Sequence, residues 1–153
     1  MKVFEFHFNP KLKSDVVFDS FCYEPVNIYE RRLGGLYMVG LLESILPKNQ
    51  RLVEKLAKAI KNNYYRASLQ TPEIATKDSL KLANEFLDKV VQKGNVRWLG
   101  KLDFAVISLQ DFKLNFSKVG KIKVMVARNG EIIDIDQKIN SDDMEPYPLK
   151  IFS

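Results

Sequence analysis

The stretch from Lys101 to Ile135 constrains the fold most, because it has the pattern of consecutive strands with a turn signal at each break. Its first part, 103–109, is mostly apolar, as expected of a strand that is buried on both faces. Apolar and polar residues alternate over 112–117 and again over 121–126, which predicts one solvated and one dry face for each strand. Asn129-Gly130 fits a two-residue type I′ turn, which needs a positive φ at both central positions. We therefore predict an antiparallel meander.

The part of the chain before this stretch adds shorter strand patterns. Residues 2–8 alternate between apolar and polar, and 16–23 is a second strand candidate that Glu24-Pro25 closes. These two segments are candidates for a hairpin. A third apolar strand, 36–39, is expected to stop at Gly40.

Two helical patterns lie between these strands and the Lys101–Ile135 stretch. Asn49 is a candidate N-cap of the first helix, whose apolar side is formed by Leu52, Val53, Leu56, Ile60 and Tyr64. The second helix begins at Pro72 after the candidate cap Thr71, and Gly94 follows its end. Its predicted buried stripe is formed by Ile74, Ala75, Leu82, Ala83, Phe86, Val90 and Val91. This order predicts an α+β fold with antiparallel sheets and the helix pair packed on one face.

Length and composition limit the class of protein. A chain of 153 residues with 46% hydrophobic content is sufficient for one domain with its own core. No run approaches the roughly 18 apolar residues of a membrane span, and the start lacks the apolar block of a signal peptide, so we expect a soluble, cytoplasmic protein without membrane contact. The only cysteine, Cys22, cannot form an internal disulfide and is predicted to be a small buried hydrophobic residue. Residues 148–152 turn apolar again, which indicates that 1–153 is the N-terminal part of a longer domain.

The net charge of +5 is concentrated in the first helix. We call its cations the basic stripe and list them as candidate anion-binding residues: Lys48, Arg51, Lys55, Lys58, Lys61 and Arg66. Only Glu54 opposes them between residues 48 and 66. Such a stripe is either the footprint of a phosphate backbone or the solvated face of an amphipathic helix, and we favour the solvated face.

The residues that carry most enzyme chemistry are scarce in this chain. His7 is the only histidine and lies in a strand pattern among phenylalanines, which favours a structural role. No glycine-rich phosphate loop occurs. The carboxylate groups that could bind a cation are Asp15 with Asp19, Asp134 with Asp136, and the acidic loop 142–145, and solvated acids explain them better. We therefore predict no catalytic residue, no metal site and no cofactor.

The order of elements resembles the N-terminal half of the metal-dependent protein phosphatases of the PPM type, also called type 2C. The likeness rests on the strand Leu36–Gly40, on the helix pair 49–65 and 72–93, and on 102–109 followed by 114–135. The family has an Asp-Gly turn after the first strand and a Val-Gly-Asp-Ser-Arg stretch in the last block. The resemblance spans Leu36 to Ile135 and implies part of the family's four-layer sandwich.

The same resemblance argues against the family's activity. Where the family has a metal-binding Asp-Gly, this chain has Val39-Gly40-Leu41, with only Glu43 nearby, and the family's Gly-Asp-Ser is here Gly120-Lys121-Ile122. A later metal-binding aspartate would lie beyond Ser153. Divalent ions are what make the attacking water nucleophilic in such enzymes. The resemblance therefore implies a non-catalytic, pseudophosphatase-type interaction or regulatory module.

Two alternatives to this function remain. One is a PPM-type phosphatase that a missing C-terminal segment completes, which an Asp at position 40 would have favoured. The other is a polyanion or nucleic-acid binder that uses the basic stripe of helix 48–66 and is less favoured. For the interaction module we expect a protein partner or self-association, because one dry sheet face would lack a cover. That face is formed by Phe112, Leu114, Phe116, Ile122, Val124 and Val126.

Overall fold

The structure, a computed structural model, describes Phe4 and residues 15–43, 49–67, 69–128 and 130–135. A short 3-10 helix, Glu30–Arg32, lies in the first connection. The other elements are β1 Val16–Tyr23, β2 Gly35–Glu43, α1 Leu52–Arg66, α2 Pro72–Gln92, β3 Leu102–Gln110, β4 Lys113–Val119, β5 Met125–Arg128 and β6 Glu131–Asp134. No helix in these ranges is both long and apolar enough to cross a membrane.

Strands β1 to β4 form one antiparallel sheet in chain order, and the helix pair is inserted between β2 and β3. In the register, Met38 of β2 lies opposite Phe21 of β1 and Val106 of β3, and Phe104 of β3 lies opposite Val119 of β4. The predicted α+β class with a helix pair beside antiparallel strands is therefore confirmed.

Both helices pack on one face of this sheet, and the core lies between the two layers. Side chains alternate between the faces of a strand, and the even-numbered residues of β2 and β3 point toward the helices. They meet the apolar sides of α1 and α2 in one buried cluster: Leu36, Met38, Leu42, Leu102, Phe104 and Val106 from the sheet, with Leu52, Val53, Leu56, Ile60, Tyr64, Ala75, Leu80, Ala83 and Leu87 from the helices. The predicted apolar side of the first helix is buried throughout.

The two helix starts differ from each other. Thr71 caps α2 as predicted, because its Oγ1 accepts a hydrogen bond from the backbone N–H of Ile74 at 3.4 Å and Pro72 is the first helical residue. The predicted N-cap role of Asn49 is wrong. Helix α1 begins at Leu52 after Arg51, whose side chain makes no capping bond, and the Asn49 side chain is buried instead.

The buried stripe of α2 is rotated from the predicted one. Ile74 and Leu82 are exposed, whereas Thr76 and Ser79 are buried. These two hydroxyls donate to the carbonyls of Pro72 and Ala75, at 2.7 and 2.6 Å, so burial leaves them hydrogen-bonded. A pattern that counts only apolar residues cannot anticipate polar side chains that satisfy themselves within the helix.

The Lys101–Ile135 stretch divides between two sheets, so the single meander is wrong. Strands β3 and β4 belong to the main sheet, while β5 and β6 form a separate two-stranded sheet. The hairpin around Gly130 is confirmed, since Arg128 lies opposite Glu131 and Gly130 has a φ of 82°. The predicted dry face therefore does not exist as one surface: Phe112 lies in the turn between β3 and β4, and Val124 is buried before β5.

Three connections meet at one end of the main sheet, which we call the turn end. They are the β1–β2 connection 24–34, the α1–α2 connection 67–71 and the β3–β4 turn 111–112. The hydroxyl of Tyr65, near the end of α1, contacts the carbonyl of Gly34, and Thr76 in α2 contacts Ser108 of β3. The opposite end holds the end of β2, the start of α1 and the connection from α2 to β3.

Several predictions concern residues outside the described ranges. These are the strand at 2–8 apart from Phe4, the hairpin that would pair it with 16–23, His7, Lys48, Asp136, the acidic loop 142–145 and the apolar end 148–152. Strand β1 itself is confirmed, and within the described residues it pairs with β2.

Candidate functional site

The resemblance would place metal ions at the end of strand β2. This strand ends at a different residue from the one predicted. Strand β2 does not stop at Gly40 but continues to Glu43, an exposed carboxylate at the opposite end of the sheet. Gly40 lies inside the strand and faces α1. A Cβ atom there would lie 2.6 Å from Cγ1 of Val53 and 2.7 Å from the Phe104 ring. A side chain at position 40 therefore requires Val53 or Phe104 to shift.

A second carboxylate at this end, Asp103 of β3, has a structural partner. Its Oδ1 accepts a hydrogen bond from the backbone N–H of Lys121 at 3.0 Å. A Cβ atom on Gly120 would collide with the same carboxylate. Asp103 thus holds the turn after β4 in place.

The other candidate acids lie in separate environments within the described ranges, and Asp136 lies outside those ranges. Asp15 is exposed, and Asp19 accepts a hydrogen bond from the neighbouring N–H of Ser20 at 2.9 Å. Asp134 lies 3.9 Å from Nζ of Lys123. Within the described ranges, no three His, Cys, Asp or Glu side chains are placed to hold a metal ion together.

The basic stripe is mostly a solvated helix face. Its members Arg51, Lys55, Lys58 and Arg66 are exposed, and their spacing places them on one side of α1. Lys61 differs, because its Nζ lies 4.8 Å from the centre of the Tyr23 ring in a cation–π contact. No contact of the described cations tests whether the basic stripe binds an anion, so its anion-binding role stays a prediction.

Two tyrosines of α1 hold the β1–β2 connection in place. The Tyr65 hydroxyl lies 2.9 Å from the carbonyl oxygen of Tyr23 and 3.1 Å from that of Gly34, and the Tyr64 hydroxyl donates to the carbonyl of Leu33. Burial raises the pKa of Tyr64 to about 12 and also raises the pKa of Tyr65. Both hydroxyls therefore remain protonated donors at neutral pH.

Cys22 and Trp98 lie in opposite environments, one exposed and one buried. Cys22 is exposed, so its predicted burial is wrong. Even-numbered residues of β1 lie on the sheet face away from the helices, and Cys22 is one of them. Trp98 is completely buried in the core, and its Nε1 donates to the carbonyl of Asn95 at 2.7 Å.

The turn end carries a set of exposed apolar side chains that the sequence patterns missed. Val26 is 85% exposed, Ile28 71%, Tyr29 66% and Leu69 89%, and Phe112 is fully exposed. They come from all three connections of that end. At the opposite end, the described connections 49–51, 93–101 and 120–124 expose only Val96 among large hydrophobic residues.

Comparison with known proteins does not assign the chain to a family. No family model matches it, and neither a curated protein nor a solved structure is significantly similar to it. The phosphatase resemblance therefore rests on the order of elements and remains a hypothesis.

Proposed function

We propose that this chain is a non-catalytic, phosphatase-like interaction module, which binds a protein partner or a second copy of itself. The proposal rests on the structural role of Asp103. This carboxylate lies at the end of the sheet where the resemblance would place metal ions. Its carboxylate is engaged by the turn at Lys121, and Val39 stands where the resemblance would place the metal-binding aspartate. A centre with two divalent ions needs several converging carboxylates. Strand β2 ends at Glu43, whose side chain is exposed.

The first prediction follows directly from this geometry. Purified protein is expected to hydrolyse an aryl phosphate no faster with manganese or magnesium than without, because the carboxylates in the described part of the chain do not converge on a metal site. The matched variant is Glu43→Gln, which should leave any trace rate unchanged. Metal-stimulated turnover that survives exhaustive purification and is lost in Glu43→Gln would overturn the proposal.

Glu43 gives the phosphatase alternative its only specific support, because an acid does end β2. In that alternative a further C-terminal segment supplies the missing ligands. Fusing the downstream coding sequence to the chain distinguishes the two functions. The non-catalytic module predicts an inactive long chain, whereas the alternative predicts turnover that requires both the added segment and Glu43.

A polyanion binder is the second candidate, because four exposed cations share one side of α1 and none pairs with a carboxylate among the described residues. We expect only weak binding of DNA or RNA that collapses between low and moderate salt. The affinity should fall with a log–log slope of roughly −0.9 per phosphate contacted. Replacing both Lys55 and Lys58 by Glu should reduce that slope, while Lys77→Glu on α2 should not. Tight, salt-resistant and sequence-selective binding would reverse the ranking of the two functions.

A further inference from the structure

Strand β4 forms one edge of the four-stranded sheet. Within the described part of the chain it pairs with β3 on one side, and no strand pairs with its other side. An edge strand presents a row of backbone N–H and C=O groups that is a template for another strand. Natural edges are commonly protected by a lysine, a proline or a bulge. The middle of β4, residues 114–117, contains no charge and no proline, and it pairs with β3 without a bulge.

The register shows which residues of β4 point their backbone groups away from the sheet. Along an antiparallel pair, residues that exchange both hydrogen bonds alternate with residues that exchange none. The backbone N–H of Glu43 donates to the carbonyl of Lys101 at 3.1 Å, so the odd-numbered residues of β2 and β3 bond to each other. The even-numbered residues of β3 therefore bond to β4, where their partners are odd-numbered. Leu114 and Phe116 consequently direct their N–H and C=O groups to the outer side of the edge.

The side chains along this edge are apolar. Leu114 and Phe116 lie on the sheet face away from the helices, because their partners Leu109 and Ile107 are odd-numbered residues of β3. The Leu114 side chain is 42% exposed, and Phe116 is half-buried. Phe112, in the turn before β4, is fully exposed at a φ of 64°, where a bulky side chain is strained. Strain that adds nothing to the core is typical of functional positions.

These groups fit a second copy of the same strand in one register. Across an antiparallel pair, only residues with outward backbone groups bond to each other. Placing Leu114 opposite Phe116 of the second copy makes two such pairs, and each pair exchanges two backbone hydrogen bonds. Both pairs are apolar, and cross-strand pairs of this kind stabilise a sheet. Shifting the register so that Phe116 faces its own copy sets Leu114 against the cation of Lys118 instead.

The charges of β4 permit this register. Lys113 lies opposite Ser117 of the second copy, and Lys118 lies opposite Phe112. The two copies of Lys113 are then about 14 Å apart along the strands. That separation exceeds the Debye length of about 8 Å at physiological ionic strength. Lys113 and the second copy's Lys118 lie at the same end of the pair but point to opposite faces of the sheet, and Asp111 adds a negative charge there.

We propose that the chain forms a symmetric homodimer by antiparallel pairing of β4 with β4 of a second copy, an inference that rests on the interaction function proposed above. The pairing joins two four-stranded sheets into one continuous sheet. Asn115 lies on the helix-facing side opposite its own copy, so the helices of both copies cover the same face. The contact is short beside the roughly 800 Å² per partner of a standard interface, so we expect micromolar affinity.

Sedimentation velocity of the full chain, from low to high micromolar concentration, measures the dimer. Leu114→Glu and Phe116→Lys each disrupt both Leu–Phe pairs and should each raise the dissociation constant at least about tenfold. Their equimolar mixture tests the register, because in a mixed dimer the introduced carboxylate faces the introduced ammonium and the other Leu–Phe pair is intact. The mixture should dimerise within several-fold of the wild-type affinity. The control is Ile132→Lys, an exposed apolar position in the separate β5–β6 sheet, which should dimerise like the wild type.

Three outcomes of this series would overturn the proposal. The first is a wild type that stays monomeric throughout the concentration range. The second is a pair of single variants that dimerise as the wild type does, which would place the interface elsewhere. The third is a mixture that stays monomeric although both variants have the wild-type melting temperature, which would exclude the Leu114–Phe116 register.

Hydrogen exchange of the wild type tests the edge without any substitution. The amides of Asn115 and Ser117 bond to β3 and should be protected at every concentration. The amides of Leu114 and Phe116 should gain protection as the protein concentration rises through the dissociation constant. Fast exchange of these two amides at every concentration would contradict the dimer. Slow exchange that is independent of concentration would contradict it too, and would assign the edge to a segment of the same chain.

The dimer and the non-catalytic function fail separately. Metal-stimulated phosphatase turnover by a chain that dimerises through β4 removes the non-catalytic function alone. An inactive chain whose Leu114 and Phe116 amides stay unprotected removes the dimer alone. A monomeric chain that pairs β4 with an extended segment of another protein keeps the interaction function and also removes the dimer.

Discussion

Gly40→Asp is expected to unfold the chain rather than to create a metal site. A Cβ atom at position 40 meets Val53 and Phe104 within 2.7 Å, so α1 must move away from the sheet. Overpacking of this kind costs roughly 1–3 kcal/mol. A carboxylate buried without a partner adds several kcal/mol more. Together these terms approach the whole stability of a small domain, which is about 5–15 kcal/mol.

The measurement is a denaturation series monitored by circular dichroism. Gly40→Ala should be folded but destabilised by roughly 1–3 kcal/mol, because it brings the steric term without the charge. Glu43→Gln, at the exposed end of the same strand, is the control and should match the wild type. A folded Gly40→Asp protein that manganese stabilises would show that position 40 does belong to a metal site.

Position 40 also shows where the sequence prediction fails. The apolar run before Gly40 correctly predicts a strand, and the glycine predicts the end of that strand because glycine often interrupts strands. The structure has the strand continuing through it, since glycine there permits the close approach of Val53 on α1. The sequence shows that position 40 is a glycine, but only the packing of α1 on the sheet shows why a small residue is needed there.

The predictions that succeeded depend on local signals. Thr71-Pro72 at the start of α2 and the Gly130 hairpin were recognisable because caps and tight turns are determined by a few adjacent residues. The exposed apolar set of the turn end could not be found this way. Ile28, Leu69 and Phe112 are far apart in sequence, and only the topology brings their connections to the same end of the sheet. The sequence pattern instead assigns Phe112 to a strand, because this residue begins the alternation of 112–117.

Trp98→Ala is the second substitution with a large expected effect, about 3–5 kcal/mol of lost stability. Trp98 is completely buried and belongs to the core cluster, although it lies in the connection between α2 and β3. Its carbonyl accepts the N–H of Lys101 at 3.0 Å, and its indole N–H donates to the carbonyl of Asn95 at 2.7 Å. Truncation leaves a large cavity and also frees the connection that leads into the central strand β3.

The cost of Trp98→Ala should show as a lower denaturation midpoint by circular dichroism, since the variant lacks the chain's only tryptophan for fluorescence. Trp98→Phe keeps most of the buried ring but loses the indole N–H, so it should be destabilised by less than the alanine variant. The control is Arg97→Ala, whose side chain is exposed beside it in the same connection. Equal stability of Trp98→Ala and Arg97→Ala would mean that the α2–β3 connection does not pack into the core.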